Sequence, residues 1–272
     1  MPTAVIAFDF DPFLRIGDGA VRWETLGIAA AIFAAIVLAG IGARTMELRG
    51  DDLLFVVLGV VPGAVVGGRL GYVLLHPDFF TAQPGAIVDP SVGSLALSLG
   101  VVGGALTGGL VAALVEGGGG RWFHIATLPV LAGIAAGKLA MVFGGRGQGQ
   151  PYAGDLATAF VGPGPWGSLS PATPSHPSQV YEGLATLVVL VCVLGLLAIP
   201  AARRPDGRSF LVAVGLWAAV RTIVASTWRD PVVIGSLRAE QAIDLVIVLA
   251  CIVGVVVLIA RERSAPVPAA TR

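Results

Sequence analysis

The chain has 272 residues, 56% of them hydrophobic and only 12% charged, with 17 cations against 17 acids. A mean hydropathy of +0.87 excludes an ordinary soluble domain of this length. The composition is that of a membrane protein, and no nucleic-acid partner is expected.

A helix that crosses the hydrocarbon needs about 20 mostly apolar residues. Seven such runs are present, at roughly residues 23–41, 53–75, 95–115, 124–143, 181–200, 210–228 and 241–260. They leave no room for a soluble domain. The expected architecture is therefore one polytopic unit over 1–272, an all-α membrane protein of seven transmembrane helices with a long extracytoplasmic loop, 144–180, between the fourth and fifth. The opening MPTAVIAFDFDPF lacks the basic region and apolar core of a cleavable signal, so export is expected to rely on the spans.

The first span carries Glu24 at its start. In the second, Gly59, Gly63, Gly67 and Gly71 recur every four residues and mark one face for close helix contact, as small residues do in membranes. Arg69 in the second span, Lys138 in the fourth (the sole lysine) and Arg221 in the sixth put three cations inside the membrane. Such residues face a polar cavity, pair with acids or snorkel to the interface; the available acids are Glu24, Glu182 and Asp244. Clustered at one depth, the three cations suit a phospholipid headgroup phosphate, which Arg binds bidentately and Lys as a point charge.

Between the fourth and fifth spans lies GGRGQGQPYAGDLATAFVGPGPWGSLSPATPSHPSQ, Gly- and Pro-rich and far less apolar than its neighbours. Tyr152, Phe160 and Trp166 point to a segment that packs or rests on the membrane surface, and GGRGQGQ is a candidate phosphate nest. His76, His124 and His176 are scattered, no metal-ligand spacing occurs, and no metal or other cofactor is expected. The fifth span opens with PSHPSQVYEGL. Pro177 suits a first helical turn, Ser175 or Ser178 a cap, and Glu182 the positive helix end. That leaves His176, Gln179 and Tyr181 for a site, with His176 able to take a proton from a thiol or hydroxyl. Cys192 and Cys251 both fall in spans, so no disulfide framework is implied.

Nine arginines outside the spans lie in one alternating set of loops and the C-terminal tail, and five lie in the other. The richer set belongs in the cytoplasm, with the N-terminus outside and the C-terminus inside.

HPSQVYE (His176 to Glu182), GGRLGYVL (Gly67 to Leu74) and WRDP…GSLRAEQ (Trp228 to Gln241) resemble, in order and spacing, the prolipoprotein diacylglyceryl transferases of bacterial inner membranes. The resemblance implies a seven-span enzyme that moves the diacylglyceryl group of phosphatidylglycerol, or a similar anionic phospholipid, onto the lipobox cysteine thiol of a preprolipoprotein. Arg69 and Tyr72 then line the lipid site, His176, Gln179, Tyr181 and Glu182 fall on its HPSQ-x-YE element, Arg221 and Arg229 match two family arginines, the second regarded as essential, and Glu240 and Gln241 match polar residues opening the last span. The chain departs from the pattern in GKLAMVFGGR (Gly137 to Arg146), where Lys138, Met141, Gly144 and Arg146 replace Arg, Asn, Asn and Glu. Val102 stands for the histidine of the family's His-Gly-Gly, and Glu24 for a tyrosine. A divergent transferase is expected to take its base from His176 or Glu24 and to rebuild the headgroup cage from Lys138, Arg146, Gln148 and Gln150. The alternatives are a family member acting on another anionic lipid or acceptor, a non-enzymatic anion transporter, and a membrane assembly factor.

Overall fold

The computed structural model describes residues 5–89 and 92–264. Seven helices long and apolar enough to cross a membrane are present, Trp23–Thr45 (α1), Gly50–Leu75 (α2), Leu97–Leu114 (α4), Gly118–Ala140 (α5), Ser178–Ala198 (α6), Arg208–Val224 (α7) and Ala239–Ser264 (α8). A short helix, Pro77–Ala82 (α3), follows α2. The chain is a multi-pass membrane protein. Connections of a few residues at 46–49 and 115–117, and a turn at 199–207, lie at one end of the bundle. At the other end lie residues 5–22 and the longer segments 76–89, 92–96, 141–177 and 225–238.

A helix satisfies most of its backbone hydrogen bonds within itself, as hydrocarbon demands, although α2 and α5 each carry an internal proline, Pro62 and Pro129. Side-chain packing then sets the order: α5 is central, touching α1, α4, α6 and α7, while α2 lies along α4 and α7 along α8. The α2–α4 contact is made by the predicted glycine face. A Cβ on Gly63 would stand 2.1 Å from the Gly103 carbonyl oxygen, one on Gly67 2.2 Å from that of Leu99, one on Gly59 2.6 Å from Val111, and one on Gly71 2.7 Å from Ala96. The backbones therefore touch, which only glycine permits. Between α5, α6, α7 and α8, Leu131, Val189, Val193, Phe210, Trp217 and Ile247 form the largest core.

The all-helical expectation misses three small sheets at the loop-rich end. Ile6–Phe8 (β1) pairs in parallel with Thr158–Phe160 (β4) and thereby ties the N-terminal segment to the long loop. Phe13–Ile16 (β2) and Gly19–Arg22 (β3) form a hairpin, as do Val232–Ile234 (β5) and Leu237–Arg238 (β6). Each hairpin turns through a two-residue loop whose first residue is a glycine at positive φ, Gly17 and Gly235, both at +58°, the arrangement that matches strand twist in a tight hairpin.

Candidate active site

The loop-rich end holds a chamber of about 910 Å³, toward the upper end for small-molecule sites. Its wall draws on α2 (Tyr72), α5 (Lys138), α6 (Gln179, Glu182), α7 (Arg221), the segment Trp228 to Val233 and α8 (Glu240), with Gly147, Gln148 and Gly167 to Leu169 from the long loop. Apolar side chains edge it, among them Leu74, Leu95, Val232 and Leu169, the last 89% exposed.

The deepest feature is an ion network centred on Arg221, only 2% exposed. Its Nε donates to Glu182 Oε1 at 3.0 Å, and its Nη1 to Glu240 Oε2 at 2.8 Å, to Asp244 Oδ1 and Oδ2 at 2.9 and 3.1 Å, and to the Ser98 hydroxyl. The guanidinium also lies 4.3 Å from the Trp228 ring centroid. Lys138 Nζ is 2.8 Å from the other oxygen of Glu182 and 5.3 Å from the same indole. Helical geometry explains the convergence: Glu240 and Asp244 are one turn apart on α8 and share a face, and Glu182 sits one turn into α6 opposite both cations. Desolvated charges survive only when paired and hydrogen-bonded, and this network supplies that.

The pairing is incomplete on the chamber side. Among the described residues, Arg221 Nη2 donates to no protein acceptor. Arg229 gives its Nε to the Gly149 carbonyl at 2.6 Å and its Nη2 to Ser175 Oγ at 3.2 Å, which leaves Nη1. Gln179, 1% exposed, has both amide atoms buried without a hydrogen-bond partner among the described residues. Donors from Lys138, Gln179, Arg221 and Arg229 thus surround one polar volume, an arrangement able to hold an anionic oxygen cluster.

Other predicted residues lie elsewhere. Arg69 does not join the chamber: its guanidinium donates to the carbonyls of Ile87 at 2.7 Å, Val92 at 2.6 Å, Asp89 at 3.0 Å and Ala86, so it ties the backbone at these four residues to α2. Tyr72, one turn on, does line the chamber. Glu24 and Arg146, 3.6 Å apart, line a separate pocket of about 140 Å³ with Arg22, Thr25 and Ile28. His176 stacks on Tyr152 at 3.9 Å between centroids, with Tyr181 edge-on at 6.0 Å; neither His176 nor Tyr181 is in the chamber wall. Burial lowers the proton affinity of the His176 imidazole.

Within GGRGQGQ, two amides and both glutamine side chains bind other parts of the protein. Gly149 N–H donates to the His176 carbonyl and Gln150 N–H to that of Thr227. The Gln150 side chain binds the Ser226 and Trp228 carbonyls, while Gln148 binds those of Thr158 and Thr173 and accepts from Ser168. GGRGQGQ is a lattice that fastens the long loop to the ends of α6 and α7. Gln241 has a similar part, donating to the Thr222 carbonyl and accepting from Arg238 N–H. The expected serine cap of α6 is absent as well: Pro177 is the cap residue, Ser178 bonds Thr227 Oγ1 at 2.6 Å, and Ser175 bonds the Thr173 carbonyl.

Sequence reasoning overlooked Ser98, Trp228 and Asp230, and gave Asp244 no place in the site. The only signal for Trp228 and Asp230 was their position beside Arg229 in WRDP.

Residues 12–257 match the sequence profile of the prolipoprotein diacylglyceryl transferase family. Among curated proteins, the chain is 31% identical over 230 residues to the phosphatidylglycerol–prolipoprotein diacylglyceryl transferase of Geobacter sulfurreducens, covering 81% of this chain and 83% of that one. It is 32% identical over 224 residues to the protein of that name from Azoarcus sp. strain BH72, covering 76% and 78%, and 22% identical over 249 residues to the one from Clostridium botulinum strain Loch Maree, covering 92% and 97%. A polar, cation-walled chamber within seven membrane-crossing helices, together with a profile match over almost the whole chain, makes this protein a member of the prolipoprotein diacylglyceryl transferase family.

Proposed function

We propose that the chain transfers the diacylglyceryl group of phosphatidylglycerol to the lipobox cysteine thiol of preprolipoproteins, in the inner membrane of a bacterium. The observation that carries this reading is the set of donors left over on Lys138, Arg221 and Arg229 around one chamber. The departing glycerol phosphate gains charge as its bond to the lipid glycerol breaks, and preorganised donors stabilise that charge where it develops. Arg221, Arg229 and Lys138 hold the phosphate, Gln179 and Tyr72 contact the headgroup, and Glu182 and Glu240 keep the cations in place. The apolar edges formed by Leu74, Leu95 and Val232 suit the acyl chains of the donor.

The bias of nine arginines to five supports an N-terminus outside and a C-terminus in the cytoplasm. The chamber then opens at the extracytoplasmic side, where exported preproteins present their lipobox.

In proteoliposomes containing phosphatidylglycerol, the purified chain should shift a lipobox peptide on a gel and release glycerol phosphate in equal amount. Neither signal should appear with phosphatidylcholine alone. Anion flux without a peptide shift would replace the transferase reading with that of a transporter, and growth of a conditional transferase-deficient bacterium on this chain would support transfer in cells.

A further inference from the structure

A thiol must lose its proton before it attacks, and the groups expected to take it, His176 and Glu24, lie outside the chamber wall. The titratable groups in that wall are Tyr72, His76, Asp78, Lys138, Glu182, Arg221, Arg229, Asp230 and Glu240. Most are unsuited to the task. Glu182 and Glu240 are engaged by Arg221 at 3.0 and 2.8 Å, which occupies the oxygen lone pairs that a base would need. His76 is exposed and its Nδ1 lies against the Tyr72 carbonyl at 2.9 Å. Asp78 is exposed, and Tyr72 offers a phenol rather than a carboxylate or imidazole.

Asp230 differs from all of these. Its Oδ2 is buried and has no hydrogen-bond partner among the described residues, although a buried carboxylate oxygen without a donor is costly. It follows Arg229 directly, and Arg238 Nη1 fixes its backbone carbonyl at 2.5 Å, so the segment that bears it is anchored while the side-chain oxygen is not.

We propose that the Asp230 carboxylate is the proton acceptor for the attacking thiol, an inference that rests on the transferase reading. The cysteine S–H proton passes to Asp230. The sulfur pair then attacks the lipid glycerol carbon that bears the phosphate, forming the thioether. That carbon's C–O bond breaks, and its electron pair leaves on the phosphate oxygen held by Arg221, Arg229 and Lys138. The proton on Asp230 passes to the leaving phosphate or to water, which restores the carboxylate. No oxidant or further reactant is needed.

The charges around Asp230 fit a base that works near neutrality. Burial foremost and the Glu240 carboxylate raise its pKa, while the Arg221, His76 and Arg238 charges lower it, with a net rise to about 6. The rate should therefore climb with pH through about 6 and then level off.

The test compares the full chain with Asp230→Asn and Asp230→Glu in phosphatidylglycerol proteoliposomes, using two peptides, one with the lipobox cysteine and one with selenocysteine in its place. Loss of a general base costs about 100-fold or more, so Asp230→Asn should lower the cysteine-peptide rate by at least that factor. The limb near pH 6 should vanish, and the residual rate should instead rise toward the thiol's own pKa of about 8.5. A selenol is already ionised at neutral pH and needs no base, so the selenocysteine peptide should restore the rate of Asp230→Asn to within a few-fold of the unmodified chain. Asp230→Glu should retain the acid limb, shifted. If Asp230→Asn kept the normal rate and pH profile, or slowed both peptides equally, the proposal would be overturned while the transferase reading stood. If the unmodified chain lipidated neither peptide, the transferase reading itself would fall.

Discussion

Lys138→Met removes one charge from the chamber and almost no volume, and the structure separates its two consequences. Lys138 Nζ lies 2.8 Å from Glu182 Oε2 in a site where the lysine side chain is 14% exposed. Breaking a buried pair by removing one partner costs about 3–5 kcal/mol. Because Glu182 keeps Arg221 at 3.0 Å, the lower end applies, about 3 kcal/mol, seen as a fall in unfolding temperature in detergent. On the proposed reading Lys138 also supplies a point charge to the departing phosphate, and a hydrogen bond to a charged group contributes about 1.5–3 kcal/mol. That converts to a rate lower by about 10- to 150-fold, measured per folded enzyme in phosphatidylglycerol proteoliposomes. Pairing Lys138→Met with Glu182→Gln removes the carboxylate charge that lost its lysine partner at Oε2, so the double variant should regain stability but not rate. Lys138→Arg, which keeps the charge and restores the residue that the family pattern has there, should stay within a few-fold of normal. A normal rate in Lys138→Met, with only the thermal shift, would show that the ammonium serves Glu182 alone and would refute its role toward phosphate.

Arg69→Met should free the carbonyls of Ala86, Ile87, Asp89 and Val92, which lose their shared donor; limited proteolysis should cut near them faster, with a smaller effect on transfer than Lys138→Met produces. Gly63→Ala places a methyl 2.1 Å from the Gly103 carbonyl oxygen and must push α2 from α4, a strain of about 1–3 kcal/mol or more, read as lower yield of monodisperse protein. The lowered proton affinity of His176 means the unfolded chain takes up a proton first, so stability present above about pH 6.5 is lost as pH falls below it. His176→Gln should flatten that acid decline in thermal unfolding while leaving the pH profile of transfer unchanged.

The fold was legible because membrane crossing forces a single signal, long apolar runs, and the glycine period in the second span is a packing code that survives without context. The hairpins were less visible, although Gly17-Asp18 and Gly235-Ser236 are recognisable turn pairs; short strands beside strongly apolar helices contribute little to any periodicity. Half of the site could be read from charge in the wrong place. Arg221 and Lys138 do meet, whereas Arg69, an equally anomalous residue, binds backbone carbonyls. Nothing in a sequence distinguishes a guanidinium facing a cavity from one capping a turn, because the acceptors are main-chain atoms that every residue has. Asp230 was hidden for the opposite reason, since its distinction is a buried Oδ2 without a hydrogen-bond partner among the described residues.

The charge balance of the chamber also limits how an anionic lipid can be held. Lys138 and Arg221 face Glu182, Glu240 and Asp244, so the inner cluster carries more acid than base and exerts no net pull on a phosphate. Attraction must come from direction: the Nη2 edge of Arg221, the free protons of Lys138, and Arg229, which the described structure pairs with no acid. A cation without such acids would bind phosphate more strongly but would be far harder to bury among helices in hydrocarbon. The carboxylates therefore let the cations sit at membrane depth, and the cost is a site that depends on Arg229. Arg229→Lys keeps that charge but loses the fork that reaches both Gly149 and Ser175. It should raise the KM for phosphatidylglycerol by about 10-fold, the value of one lost charge-assisted bond, and affinity indifferent to Arg229 would mean that the inner cluster attracts phosphate unaided.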